Sequence, residues 1–126
     1  MRRTGILLFA HGSRDPAWAQ PMQALQQRLA ARSPDAVVGC AYLELMTPDF
    51  ASAVAEMVER GCSVIRIAPV FWARGRHLSR DLRALIDDAQ RRYPDLRCEC
   101  LPVLSELDGV LDAVAEAIQR APGTEP

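Results

Sequence analysis

The chain has 126 residues, 49% of them hydrophobic and 25% charged, a size and composition suited to one globular domain with one core. Fifteen basic against 16 acidic residues leave a net charge of -1, which excludes a chain-wide positive field of the kind that holds nucleic acid or an anionic membrane. No apolar run approaches the ~20 residues that span a bilayer, and the short apolar run after Met1-Arg2-Arg3-Thr4 reads as a strand rather than a signal peptide. A cytoplasmic location is expected. Cys40, Cys62, Cys98 and Cys100 form no Cys-x-x-Cys pair and read as small core residues. Every basic residue is Arg and none is Lys, which removes Schiff-base lysine chemistry and the Walker phosphate lysine.

The elements follow one another as four strand-helix units, with residues 1–121 expected as a single domain and 122–126 as a frayed tail. Gly5 to Ala10 is a continuous apolar run of strand length, followed by Asp15-Pro16, a helix cap with proline in the first turn. Trp18, Met22, Leu25 and Leu29 then mark one helical face, with Pro21 delaying the regular part, up to a stop at Ser33-Pro34. The second unit runs from Val37 to Leu43, with Glu44 at the strand's end. Thr47-Pro48-Asp49 caps a helix carrying Phe50, Val54, Met57 and Val58, and Gly61 ends it.

Val64 to Phe71 is the third strand; a loop through Gly75 leads into a helix with Leu78, Leu82, Leu85, Ile86 and Ala89. The fourth strand covers Arg97 to Val103. Ser105 and Asp108 are expected to form a capping box for a last helix carrying Leu107, Val110, Leu111, Val114 and Ile118. Strands apolar on both faces alternating with helices predict an α/β fold: a parallel four-stranded sheet covered on both faces, a flavodoxin-like sandwich of strand order 2-1-3-4. Ligands of such sheets bind beyond the carboxyl ends of the strands.

The residues at those ends carry the chemistry. His11 follows the first strand and His77 the third; Glu44 lies 33 residues after one and 33 before the other. Two imidazoles and a carboxylate suit a divalent first-row metal and lack the thiolates of a closed structural zinc site. Arg14, Arg74, Arg76 and Arg80, with Ser13 and Ser79 beside them, would form a positive mouth for a substrate bearing several carboxylates or phosphates. Gly12 and Gly75 serve either a turn or a close backbone approach, with the turn favoured.

Three segments taken in order, Leu8-Phe9-Ala10-His11-Gly12-Ser13-Arg14-Asp15-Pro16, Tyr42-Leu43-Glu44-Leu45, and Pro69 through Asp81 with Arg74-Gly75-Arg76-His77 inside it, resemble the CbiX/SirB sirohydrochlorin chelatases in their short, single-domain form. The resemblance runs from about residue 5 to 120. It implies ATP-independent insertion of Co2+, or of Ni2+ or Fe2+, into sirohydrochlorin in cobalamin or siroheme-type synthesis, with no organic cofactor. It places metal and proton handling on His11, His77 and Glu44, and gives Ser13, Arg14, Arg74, Arg76 and Arg80 a polycarboxylate ring to hold. The histidine-bearing segment that many relatives carry after the fourth strand is missing from Leu101-Pro102-Val103-Leu104-Ser105-Glu106-Leu107. A carrier that binds metal or tetrapyrrole without turnover is the alternative. Histidine phosphatases, which place an Arg before their His-Gly, are disfavoured by Ala10. A homodimer is expected, because one wall of loops leaves a face of a broad ring open; Trp72, Phe71 and Leu78 are its candidate contacts.

Overall fold

The computed structural model describes residues 2–125; Met1, the first residue of the expected domain, and Pro126, the last of the expected tail, lie outside the described residues. Four strands, β1 (Arg3–Ala10), β2 (Val37–Tyr42), β3 (Cys62–Pro69) and β4 (Arg97–Cys100), form one parallel sheet of order β2-β1-β3-β4, as expected. Every residue of β1 from Gly5 to Ala10 is buried, which is why its sequence reads apolar without alternation. Leu7, Phe9, Ile65 and Ile67 pack under Val54 and Met57 of α2 (Phe50–Glu59) and Leu82 of α3 (Arg76–Arg92). On the opposite face Leu8, Ala10 and Tyr42 pack against Met22 of α1 (Gln20–Arg32). Each fully buried side chain of this size stabilises the fold by about 1.5–3 kcal/mol, so the two clusters bind helices to both faces.

The helix starts follow local chemistry. Asp15 accepts a hydrogen bond from the Ala17 N–H and opens a 3-10 turn over Pro16–Ala19; the regular helix begins a turn later, with Pro21 in its first turn. Asp49 caps α2 by accepting from the Ser52 N–H at 2.8 Å, and this bond holds its carboxyl below the usual range. Gly61, at φ +92°, turns the chain out of α2 into β3.

Some expected boundaries move. β2 ends at Tyr42, so Glu44 stands two residues beyond the strand rather than at its end. β3 covers Cys62–Pro69 instead of Val64 to Phe71. β4 stops at Cys100, just short of Pro102, which has no N–H to give a ladder. The Ser105–Asp108 capping box does not form. The Leu104 and Ser105 N–H groups donate to the Phe71 and Trp72 carbonyls, which ties this segment to the loop after β3 as a 3-10 turn over Leu104–Glu106. The last helix, α4 (Val110–Arg120), starts only after Gly109 at φ +83°, leaving Leu107 outside it. None of the residues of α4 is buried, so the covering of the sheet is less complete than a full sandwich. Of the cysteines, Cys62 is buried, Cys40 and Cys98 are half-buried, and Cys100 is exposed, contrary to the core reading. Desolvation raises all four thiols above their ordinary value, which keeps them protonated.

The pairing of β1 with β2 outlasts both strands. The Leu43 N–H donates to the Ala10 carbonyl at 2.9 Å and the Glu44 N–H to the His11 carbonyl at 3.0 Å. Gly12 is what lets the two segments run this close. It is buried at φ +99°, and a Cβ there would lie 1.9 Å from the Glu44 carbonyl oxygen. Gly12→Ala therefore combines a disfavoured backbone region with a backbone clash, and is expected to lower unfolding free energy by about 2 kcal/mol or more. Urea unfolding of the purified variant checks this; a wild-type midpoint would contradict the close approach.

Candidate functional site

The extended pairing sets His11 and Glu44 side by side, with Nε2 3.1 Å from Oε1 and both side chains about half exposed, at 52% and 55%. His11 Nδ1 lies 3.1 Å from the Gly12 carbonyl oxygen, so each ring nitrogen faces an acceptor, and the neutral ring can donate to one of them and the imidazolium to both. Nε2 then has two states. With hydrogen on Nε2 the ring donates to Glu44; with hydrogen on Nδ1 alone the Nε2 lone pair faces the carboxylate, and a cation between the two relieves that opposition. The pair is thus built to hold either a proton or a metal ion. Two donors 3.1 Å apart, each ~2.1 Å from an ion, subtend about 95° at it, within the range of four- to six-coordinate ions.

His77 stands apart from this pair on an exposed first turn of α3, whose cap residue is Gly75. Among the described residues no three His, Cys, Asp or Glu side chains gather into a ready-made metal site. Of the expected His/His/Glu set, His11 and Glu44 lie together, and His77 lies beyond the end of the neighbouring strand β3 rather than in contact with them.

The arginines divide. Arg74 makes a double hydrogen bond to Glu106, with Nη2 to Oε1 at 2.6 Å and Nε to Oε2 at 2.9 Å, so its charge is matched within the chain. The guanidinium holds the Glu106 carboxyl below the usual range, and Glu106 in turn raises Arg74. Arg14, Arg76 and Arg80 are exposed and, among the described residues, have no ion-pair partner. Arg76 and Arg80 sit at the start of α3, where no acidic residue occupies the first turn. A cation in the first turn opposes the macrodipole, so Arg76 does not serve the helix; it adds positive potential beside His77, with Arg80 one turn further along and next to Asp81.

Ser13 has a structural task, its Oγ accepting the Asp15 N–H at 3.1 Å. With Arg14, Tyr42, Leu45 and Met46 it lines an open depression of about 620 Å³. Three participants escaped the sequence reading. Glu106, 32 positions from Arg74, has no local signal. Gly12 was legible as glycine in a turn, but not as the seat of the Glu44 carbonyl. Leu45 adopts φ +68° without being glycine and remains 54% exposed, next to Glu44, a placement that local propensity does not announce.

Comparison with known proteins gives the chain's relatives. The CbiX sequence profile matches residues 5–121. The sirohydrochlorin cobaltochelatase of Sulfolobus acidocaldarius is 25% identical over 120 residues, covering 95% of this chain and 96% of its own. The chloroplastic sirohydrochlorin ferrochelatase of Arabidopsis thaliana is 25% identical, and this chain spans 52% of its length. Among solved structures, a putative cobalamin biosynthesis CbiX protein from Marinobacter aquaeolei superposes with a TM-score of 0.76 at 24% identity, covering 94% of this chain and 99% of its own. The sirohydrochlorin chelatase SirB of Bacillus subtilis in complex with cobalt gives 0.81 at 25% identity, covering 93% of this chain and half of its own. With a profile match over nearly its whole length and relatives of the same kind along it, the chain belongs to the CbiX family.

Proposed function

We propose that this chain inserts a divalent metal into sirohydrochlorin, with Co2+ the preferred ion ahead of Ni2+ and Fe2+, and that it does so without ATP or an organic cofactor. The observation that carries the reading is the His11–Glu44 pair, whose facing Nε2 and Oε1 offer one imidazole and one carboxylate to a partly dehydrated ion. Cobaltochelatase names among the relatives support the reaction class and the choice of Co2+. The Arabidopsis relative is named a ferrochelatase, and SirB has been solved with Fe3+ as well as with cobalt, which is why iron stays among the ions.

Metal insertion must take two protons from pyrrole nitrogens while the ion passes from protein to ring. The ion, as substrate, displaces the proton between His11 and Glu44 on binding. Once it leaves for the ring, Nε2 and the carboxylate are again free to accept a proton. His77, beyond β3, takes the third position as ligand or base from the opposite side of the strand ends. Arg14, Arg76 and Arg80 meet the ring's carboxylates, whereas Arg74, already paired with Glu106, holds the loop before α3 in place.

The test is an absorbance assay of purified protein with sirohydrochlorin and each ion against the uncatalysed rate. His11→Ala and His77→Ala are each expected to lower metallation roughly a hundredfold, the usual loss for a positioned acid-base group. Both side chains are exposed, so helicity should not change. Near-wild-type turnover in both variants would remove the site.

Replacing Arg76 and Arg80 together with Gln is expected to raise the apparent KM for the ring and flatten its dependence on salt, with kcat little altered. Their field acts over about the Debye length, ~8 Å at physiological ionic strength. A KM unmoved by the double substitution would place the two guanidiniums away from the substrate.

A further inference from the structure

The carboxyl ends of the strands carry two large apolar side chains that the core does not use. Of the three residues expected to join two copies, Phe71 and Leu78 pack against the core, Phe71 with its ring centroid 6.2 Å from that of Phe9, whereas Trp72 is 53% exposed. Trp18, the chain's other tryptophan, meets Tyr42 edge-on at 6.3 Å; Trp72 has no aromatic partner among the described residues. Leu45, beside Glu44, is 54% exposed. Single exposed apolar residues are ordinary on protein surfaces. These two differ in being fixed in place and in standing on either side of His11.

Trp72 sits on a loop with little freedom. The Val70 N–H donates to the Phe9 carbonyl at 2.7 Å, the Phe71 and Trp72 carbonyls accept from the Leu104 and Ser105 N–H groups, and Arg74 is held by Glu106. Leu45 belongs to a loop closed at its base by the Tyr42 N–H on the Pro48 carbonyl at 3.0 Å and pinned at Glu44 to the His11 carbonyl. Each stands three residues past its strand, Leu45 after Tyr42 of β2 and Trp72 after Pro69 of β3, and His11 follows β1 between them. Neighbouring strands lie about 4.8 Å apart, so the ends of β2 and β3 are about 10 Å apart across β1. That width is comparable to a tetrapyrrole macrocycle.

Resting on the chelatase reading, we propose that Leu45 and Trp72 form the apolar seat for one flat face of the sirohydrochlorin ring, which lies across the ends of β2, β1 and β3 with its nitrogens over the His11–Glu44 pair. A ring receives a metal through a face, and its faces are apolar while its carboxylates stand on the rim. Groups that deliver the ion are therefore best bordered by apolar contacts, with cations available to the rim. The two loops carry both kinds: Arg14 lines the same depression as Leu45, and Arg76 and Arg80 follow Trp72 into α3. A fixed indole loses little conformational freedom when a flat ring stacks on it. Flexible arginines on the rim leave the ring free to tilt; two fixed apolar contacts on either side of the ion do not.

Equilibrium binding of metal-free sirohydrochlorin, followed by the ring's visible absorbance, tests the seat apart from metallation. Trp72→Ala is expected to raise Kd about tenfold or more, a usual loss when an aromatic platform is taken from a flat ligand, and Trp72→Phe to recover most of it. Leu45→Asn, which keeps a residue suited to positive φ while removing the apolar contact, should raise Kd several-fold. Because the contact is apolar, both ratios to wild type should be the same at low and high salt. Co2+ affinity without the ring, and the mass given by light scattering, should stay at wild-type values. A Trp72→Ala chain that binds the ring as tightly as a wild type that metallates it would overturn the seat and leave the chelatase reading standing; a wild type that binds no ring would overturn both. A loss that disappears at high salt, a Phe variant no better than Ala, or weakened Co2+ binding without the ring would each overturn the seat. So would a changed mass, which would make Trp72 a contact between copies.

Discussion

Two backbone hydrogen bonds beyond the last residues of β1 and β2 hold the candidate site together. The Leu43 and Glu44 N–H groups donate to the Ala10 and His11 carbonyls, so the sheet's register continues into segments that have already left the sheet. Because the register is fixed by buried partners upstream, Phe9 opposite Ala41 and Ala10 opposite Tyr42, the spacing of the His11 and Glu44 side chains is inherited from the core. Gly12 is the condition for that inheritance, since any Cβ would meet the Glu44 carbonyl. Exposed loops position side chains poorly on their own; here two of the site's groups are aligned by strand pairing before any ligand arrives.

Charge is distributed with the same economy. Arg74 and Glu106 neutralise each other and tie the loop after β3 to the segment after β4. Arg76 is left at the helix start, against the dipole, and neither it nor Arg80, a turn further in, has an ion-pair partner among the described residues. A surface that bears an unpaired cation at the end of α3 where it stabilises the helix least, with a second one turn on, is suited to an anion brought from outside. On a chain of net charge -1, that field is local, which matches a small polycarboxylate better than a long polyanion.

Much of the fold was legible in the sequence because burial on both faces leaves uninterrupted apolar runs. Gly5 to Ala10 is the clearest, and such runs punctuated by Asp15, Asp49 and Gly61 predict both the elements and the order 2-1-3-4. His11, Glu44 and His77 were legible by position, as polar residues just past those runs. What was not legible depends on contacts distant in sequence. The Arg74–Glu106 pair joins one of the arginines expected to meet substrate to a carboxylate 32 positions away. The Leu104 and Ser105 bonds to the loop after β3 displaced an expected capping box, and the amphipathic pattern of α4 says that it has an apolar face without saying which surface takes it. Residues 122–125 lie beyond α4 without regular structure.

The central claim is that a proton and a divalent ion contend for the space between His11 Nε2 and Glu44 Oε1. Titrating Co2+ into the purified protein, with its visible absorption followed in wild type and Glu44→Gln, tests it most directly. The account predicts saturable Co2+ binding to the wild-type chain, weakened at least tenfold by Glu44→Gln and accompanied by proton release in unbuffered solution. Equal Co2+ affinity in the two proteins would contradict it.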